Sequence, residues 1–236
     1  MPRPYESDPV NMIIDVTRAL GPWYDKHKKA LSVELGTNYD GKAEAQKNGD
    51  TLQKHEKVFI KERKDDEKET TSQNNLLTEI RTFVKSVGAS VKRRTKGHKN
   101  HKRIYEDFHV SAPSQIRSFS VASGSLRQLE TGIEVHRKDI QGTNDRSADW
   151  LKKISGFEDR LKHSTQKKLD EKTETSDARL ARDEARGVCV DFIEDMELAA
   201  LAVVDHAPEA YLELQGIFET LNPTIAPPQP PPSTQE

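Results

Sequence analysis

The chain is expected to be all-α: an elongated four-helix bundle assembled from two pseudo-symmetric, duplicated helical hairpins, each with a long second helix. Three observations predict this. Apolar residues recur at three- and four-residue spacing along much of the chain, strand and hairpin signals are scarce, and a Gly-Thr-Asn turn occurs twice, 106 residues apart. The composition agrees, because 33% hydrophobic and 32% charged residues suit helices that bury a narrow stripe and leave most of their circumference in water.

Ser7 and Asp8 are N-cap residue types and Pro9 suits a first helical position, so a helix is expected from there to about Leu35. Val10, Ile13, Ile14, Thr17, Leu20, Tyr24, Leu31 and Leu35 form its apolar face. The Gly21-Pro22 pair predicts a kink, and Gly36 a left-handed C-terminal stop. Thr37 and Asn38 are then expected to cap a second helix over about Lys42 to Arg94.

A shift of 106 residues carries Gly36-Thr37-Asn38 onto Gly142-Thr143-Asn144, Val10 onto Ile116, Ile13 onto Phe119, Leu20 onto Leu126 and Trp23 onto Leu129. Tyr105 falls on Tyr211 by the same shift. The first repeat is therefore placed at residues 1–110 and the second at 111–221, packed together as one domain, with the second long helix over about Ser147 to Val204. Residues 222–236, with APPQPPPSTQ, cannot continue a helix and are expected to form an extended, disordered Pro-rich tail.

Each long segment has a polar centre, Lys61 to Asn75 and Glu171 to Arg179. Either the helix breaks near residues 68–75 and 172–178, or it continues with its middle exposed or facing a polar interior. The heptad phase of Phe59 passes through Asp66 and Gln73 to Ile80 and Val87, which favours continuity.

A net charge of −2 gives no global electrostatic argument for nucleic acid or membrane. The single cysteine, Cys189, excludes an intramolecular disulfide, fits a reducing compartment and, between two valines, reads as a small core residue. The first residues lack the apolar core of a signal peptide, and no apolar run approaches the roughly 20 residues that span a bilayer, so a cytoplasmic chain without a membrane partner is expected. Trp23 and Trp150 read as packing residues. The stretch Phe192 to Val204 is apolar on nearly all sides, which places it in the bundle centre or partly in an oligomer interface, the first being favoured.

The candidate site is the basic segment 92–103. Its cations, Lys92, Arg93, Arg94, Lys96, Lys99, Lys102 and Arg103, are seven of twelve residues with no acid among them, the pattern that attracts phosphates. It lacks the interleaved aromatics that stack on bases, and its first cations also complement a helix C-terminus. His98, His101 and His109, with Glu106 three residues before His109, are the only hint of a ferritin-like metal site, and no matching pair occurs in the second half. No phosphate-binding glycine loop, dinucleotide fingerprint or paired-cysteine zinc signature is present, and no catalytic residue or cofactor is assigned. The expected function is a non-enzymatic scaffold, adaptor or assembly subunit with a protein partner or self-association. The alternative is a module for an anionic partner, nucleic acid or polyphosphate, through residues 92–103.

Overall fold

Apolar residues at three- and four-residue spacing make helix the dominant local structure. The computed structural model describes residues 3–4, 7–108, 113–141 and 145–221, and contains no strand among them. Over these residues run seven α-helices: α1 Val10–Leu35, α2 Gly41–Arg94, α3 His101–Asp107, α4 Phe119–Val135, α5 Arg137–Ile140, α6 Ser147–Ala202 and α7 Pro208–Leu221. A 3-10 turn at Pro113–Gln115 precedes α4. Gly142-Thr143-Asn144 and the Pro-rich residues 222–236 lie outside the described residues.

Both long helices are continuous, 54 residues in α2 and 56 in α6, so neither polar centre starts a new helix. The heptad stripe survives the polar stretch: Phe59 and Asp66 are half-buried, and Gln73, Ile80 and Val87 are buried. Helix α1 likewise runs through Pro22 without ending.

The helix ends correct the sequence reading. Pro9 occupies the N-cap of α1 and no side-chain hydrogen bond caps it; the Asp8 backbone carbonyl instead accepts from the Arg186 guanidinium at 3.1 Å. Thr37 and Asn38 do not cap α2. Asp40 does, its Oδ1 accepting from the Ala43 backbone N–H at 3.1 Å, and Asp145 does the same for α6, accepting from the Ser147 N–H at 2.8 Å. A carboxylate satisfies an orphan N–H and opposes the positive end of the helix dipole, which a hydroxyl or amide does only in part. Gly36 does end α1, with φ +88°.

The chain forms two compact units that do not follow its sequence halves: Met1–Glu62 with Thr175–Glu236, and Arg63–Glu174. The first, called the outer unit only because it takes the two ends of the sequence, holds α1, the start of α2, the end of α6, and α7. The second, the inner unit, holds α3, α4, α5 and the remaining parts of the long helices. Each unit thus takes chain from both halves.

In the outer unit, Ile13, Leu20 and Tyr24 of α1 pack in one core with Leu52 of α2, Ile193 and Met196 of α6, and Phe218 of α7. The Trp23 indole N–H donates to the Ala210 carbonyl at 3.0 Å, tying α1 to α7. Losing that bond in Trp23→Phe should cost about 1 kcal/mol in urea denaturation. Gly41 is required by packing, since a Cβ there would sit 2.7 Å from the Tyr24 ring. Cys189 is fully buried, as expected of a core residue; burial pushes its thiol up, and the neighbouring Thr17 hydroxyl only partly opposes that. A thiol reagent should therefore leave the native protein unmodified and label it on unfolding. The apolar stretch 192–204 divides: Phe192, Ile193, Met196 and Val203 are buried, while Leu198 and Leu201 remain 54% and 50% exposed.

In the inner unit, Ile80, Val84 and Val87 of α2 meet Leu126 and Leu129 of α4 and Ile154 of α6, and Trp150 is buried among them. A polar cluster lies beside this core. The Ser164 hydroxyl donates to Glu69 at 2.7 Å, and the Lys167 ammonium lies 2.9 Å from the other Glu69 oxygen. Gln73 donates to the Ser164 carbonyl and accepts from Lys168, both at 3.2 Å. Here the polar centre of α2 faces a polar interior, one of the two arrangements its composition left open. Glu69, only 4% exposed, is tolerated because both its oxygens are paired.

Candidate functional site

The basic segment spans the last turn of α2, a short loop and the start of α3. Lys92 and Arg93 are exposed in the last turn of α2, where they complement the negative end of its dipole. Arg94 turns inward: its guanidinium donates to the Ile140 and Gln141 carbonyls, both at 2.6 Å, and lies 5.7 Å from the centroid of the Trp150 ring. It holds the end of α5 against α2 and is not free for a ligand. Arg94→Ala should lower stability by about 2 kcal/mol by chemical denaturation, because two carbonyls lose a charged donor.

Thr95 is buried, its hydroxyl donating to the Val91 carbonyl at 2.8 Å, and Gly97 turns the chain with φ +95°. Lys96, Lys99 and Arg103 are exposed, with no cation–carboxylate pair among the described residues. Lys102 is 3.9 Å from Glu106, one turn along α3. The structure therefore offers six of the seven cations to solvent and spends one on the fold.

The histidines do not converge. His98 lies 3.5 Å from Asp139, His101 Nδ1 is 2.8 Å from the Thr95 hydroxyl, and His109 lies outside the described residues. His136, which the sequence did not single out, is bracketed by Asp107 at 2.7 Å and Asp139 at 3.3 Å. These contacts fasten α3 to the corner between α4 and α5. They bring exposed Val135, Arg137 and Lys138 to the side of α3 on which Asp107 stands, with Arg103 one turn before it. Arg137 is 3.4 Å from Asp145, and Lys138 has no ion pair among the described residues.

The outer unit carries a face of opposite character. On α6, Leu180, Val188, Leu198 and Leu201 are each at least 50% exposed. Leu180 and Leu198 are 18 residues apart, about five turns and ~27 Å along one side of the helix. Glu184, Asp191 and Asp195 are exposed between them, and no cation pairs with any of the three among the described residues. The neighbouring basic residues are already engaged: Arg3 pairs with Glu194 and Glu197, Arg182 packs over Phe59 at 4.2 Å, and Arg186 holds the Asp8 carbonyl.

The net charge conceals this segregation. Residues 1–62 and 175–236 hold 13 Lys and Arg against 22 Asp and Glu, a net −9; residues 63–174 hold 24 against 17, a net +7. No family model, curated protein or solved structure matches the chain.

Two further features bear on what the surfaces can do. An open groove of about 620 Å³ between α2 and α6 of the inner unit is lined by Thr82, Phe83, Gly156, Phe157 and Arg160, with Arg160 held by both Glu79 oxygens at 2.7 and 3.1 Å. Phe83 and Phe157 give it apolar surface, and Thr78, Thr82, Ser86, Lys153 and the internally neutralised Arg160–Glu79 pair complete its lining. Among the described residues, no helix is long and apolar enough to cross a membrane. Exposed lysines on a helix end, without a walled pocket, attract an anionic surface over a distance set by salt and give little selectivity for a small anion.

Proposed function

We propose that the protein is a non-enzymatic interaction protein, a scaffold, adaptor or assembly subunit acting in the cytoplasm. The observation that carries this reading is the α6 face: four large apolar side chains left in water on one side of a helix, interleaved with three acids that have no ion pair among the described residues. Isolated exposed leucines are ordinary; a row of them over about five turns is the feature that marks an interface. A photocrosslinking amino acid placed at Leu198 or Val188 in cells should give discrete protein adducts, and one placed at exposed Lys64 should not. Absence of adducts from all four apolar positions would refute the reading.

The duplicated-hairpin architecture is part of the same proposal. Two reciprocal contacts support it. Arg186 of α6 holds the Asp8 carbonyl just before α1, and Arg81 of α2 holds the Ile116 carbonyl just before α4, at 2.7 Å. In each case the long helix of one half fixes the entry to the first helix of the other. An ancestral unit of about half this length would have made these contacts between two copies.

Binding of an anionic partner through residues 92–103 is the second reading, favoured by the six exposed cations and by the +7 charge of residues 63–174. Its test is affinity for RNA and for polyphosphate at two salt concentrations. The reading requires binding that weakens steeply with salt and is lost in a Lys96→Glu/Lys99→Glu/Arg103→Glu variant. Salt-independent or absent binding removes it.

A further inference from the structure

We infer that the partner of the α6 face is a second copy of this chain, which docks its basic corner, the start of α3 with the turn between α4 and α5, against the acidic, leucine-bearing side of α6. This rests on the interaction reading above and names its partner and surfaces.

Two features fit one another. The α6 face offers Leu180, Val188 and Leu198 with unpaired Glu184, Asp191 and Asp195 among them. The basic corner offers exposed Lys99, Arg103 and Lys138 and, at the end of α4, Val135, which is 68% exposed and follows exposed Glu134. Each surface therefore carries exposed apolar side chain beside unpaired charges mainly of one sign, and the prevailing signs are opposite; at the corner Asp107 and Asp139 are taken up by His136, and Glu106 by Lys102. Acids and bases that found partners within the fold would have no reason to attract outside it. Among the described residues these have no ion-pair partner, while Arg3, Arg94, Arg182 and Arg186 are consumed internally.

The charge balance of the whole chain points the same way. A −9 unit and a +7 unit in one molecule nearly cancel, so copies do not repel as molecules of high like charge do. They are attracted in the orientation that brings unlike units together. A contact between two different surfaces is heterologous: each copy uses one surface and leaves the other open, so association continues beyond a dimer or closes as a ring. An external basic protein would satisfy the α6 face but would leave the basic corner unexplained; a second copy accounts for both.

Full-length protein is examined by light scattering and sedimentation at about 50 mM and about 300 mM salt, where screening lengths differ by roughly a factor of two to three. The inference predicts concentration-dependent association at low salt that weakens at least tenfold at high salt. One variant, Glu184→Gln/Asp191→Asn/Asp195→Asn, loses the acidic face; a second, Lys99→Gln/Arg103→Gln/Lys138→Gln, loses the basic corner. All six positions are exposed, so each variant should keep its circular dichroism. Each alone should be monomeric, and an equimolar mixture should form a 1:1 pair that grows no further, because each member contributes its one intact surface. Wild type that stays monomeric at low salt overturns the inference. Association that persists in both variants overturns the assigned surfaces while leaving the interaction reading standing. Leu198 adducts in cells together with a monomeric purified chain would show that the interaction reading holds and the self-partner does not.

Discussion

Replacing Phe108 with alanine should cost about 3–5 kcal/mol of stability, read as a lower urea midpoint with an unchanged slope. Phe108 follows α3 and is 1% exposed. Its ring lies against Gly132 of α4, where a Cβ would be 3.1 Å away, and stacks on His136 with centroids 6.2 Å apart. Truncation leaves a cavity whose walls cannot easily close. Gly132 has no side chain to move into it, and His136 is fixed by Asp107 and Asp139. Phe108→Leu keeps most of the volume and should cost about 1.5 kcal/mol or less. Trp150 shares this core, so its fluorescence in a Trp23→Phe background reports the loss directly.

The second large effect belongs to the buried carboxylate. Ser164→Ala combined with Lys167→Met should cost about 3–5 kcal/mol, because it leaves Glu69 charged, buried and without its two best partners. Glu69→Met should cost much less, about 0–2 kcal/mol: it removes the buried charge itself and leaves Lys167, half exposed, to water. That asymmetry separates a solvation effect from lost contacts, since both variants break the same interactions. The pH dependence has a definite sign. Burial opposes ionisation of Glu69, but hydrogen bonds from Lys167 and Ser164 outweigh it and hold the carboxyl below its ordinary 4.5. A depressed folded value means that its contribution is complete above about pH 4.5 and is lost as pH falls from there through the folded value. The stability difference between wild type and Glu69→Gln should therefore be flat at neutral pH and shrink on acidification. A difference that grows on acidification would contradict the assignment.

Much of the helix pattern was legible because it is local. The stripe from Phe59 to Val87 repeats every seven residues through polar positions, and that phase is enough to carry α2 across a stretch of Lys, Glu and Asn. Gly36 ends α1 for a reason contained in one residue. Caps were less legible, since Ser7, Asp8, Thr37, Asn38, Asp40 and Asp145 are all capping types and only the backbone entry angle selects among them. Partner choice was not legible at all. Periodicity shows that Ile80, Val84 and Val87 share a face, and does not say that the face meets Leu126 of α4. The basic segment was read as a whole, yet Arg94 differs from its neighbours only because the Ile140 and Gln141 carbonyls happen to end α5 beside it. The acidity of the α6 face is hidden by a net charge summed over the whole chain, although the oligomer-interface alternative for 192–204 touches its end. Residues 175–236 alone, with 3 Lys and Arg against 12 Asp and Glu, carry the signal without any structure. The exposure of Leu198 and Leu201 was hidden inside a run that looked apolar on all sides.

The central claim is that each compact unit is built from both halves of the chain, so the halves are partners before any outside partner is considered. A protease site inserted between Phe108 and Pro113 in the full chain tests this most directly. After cleavage the two fragments should co-purify as one 1:1 species with unchanged helicity, and should separate only when the whole structure unfolds. Fragments that part in native buffer, with either one keeping a cooperatively folded core, would contradict it.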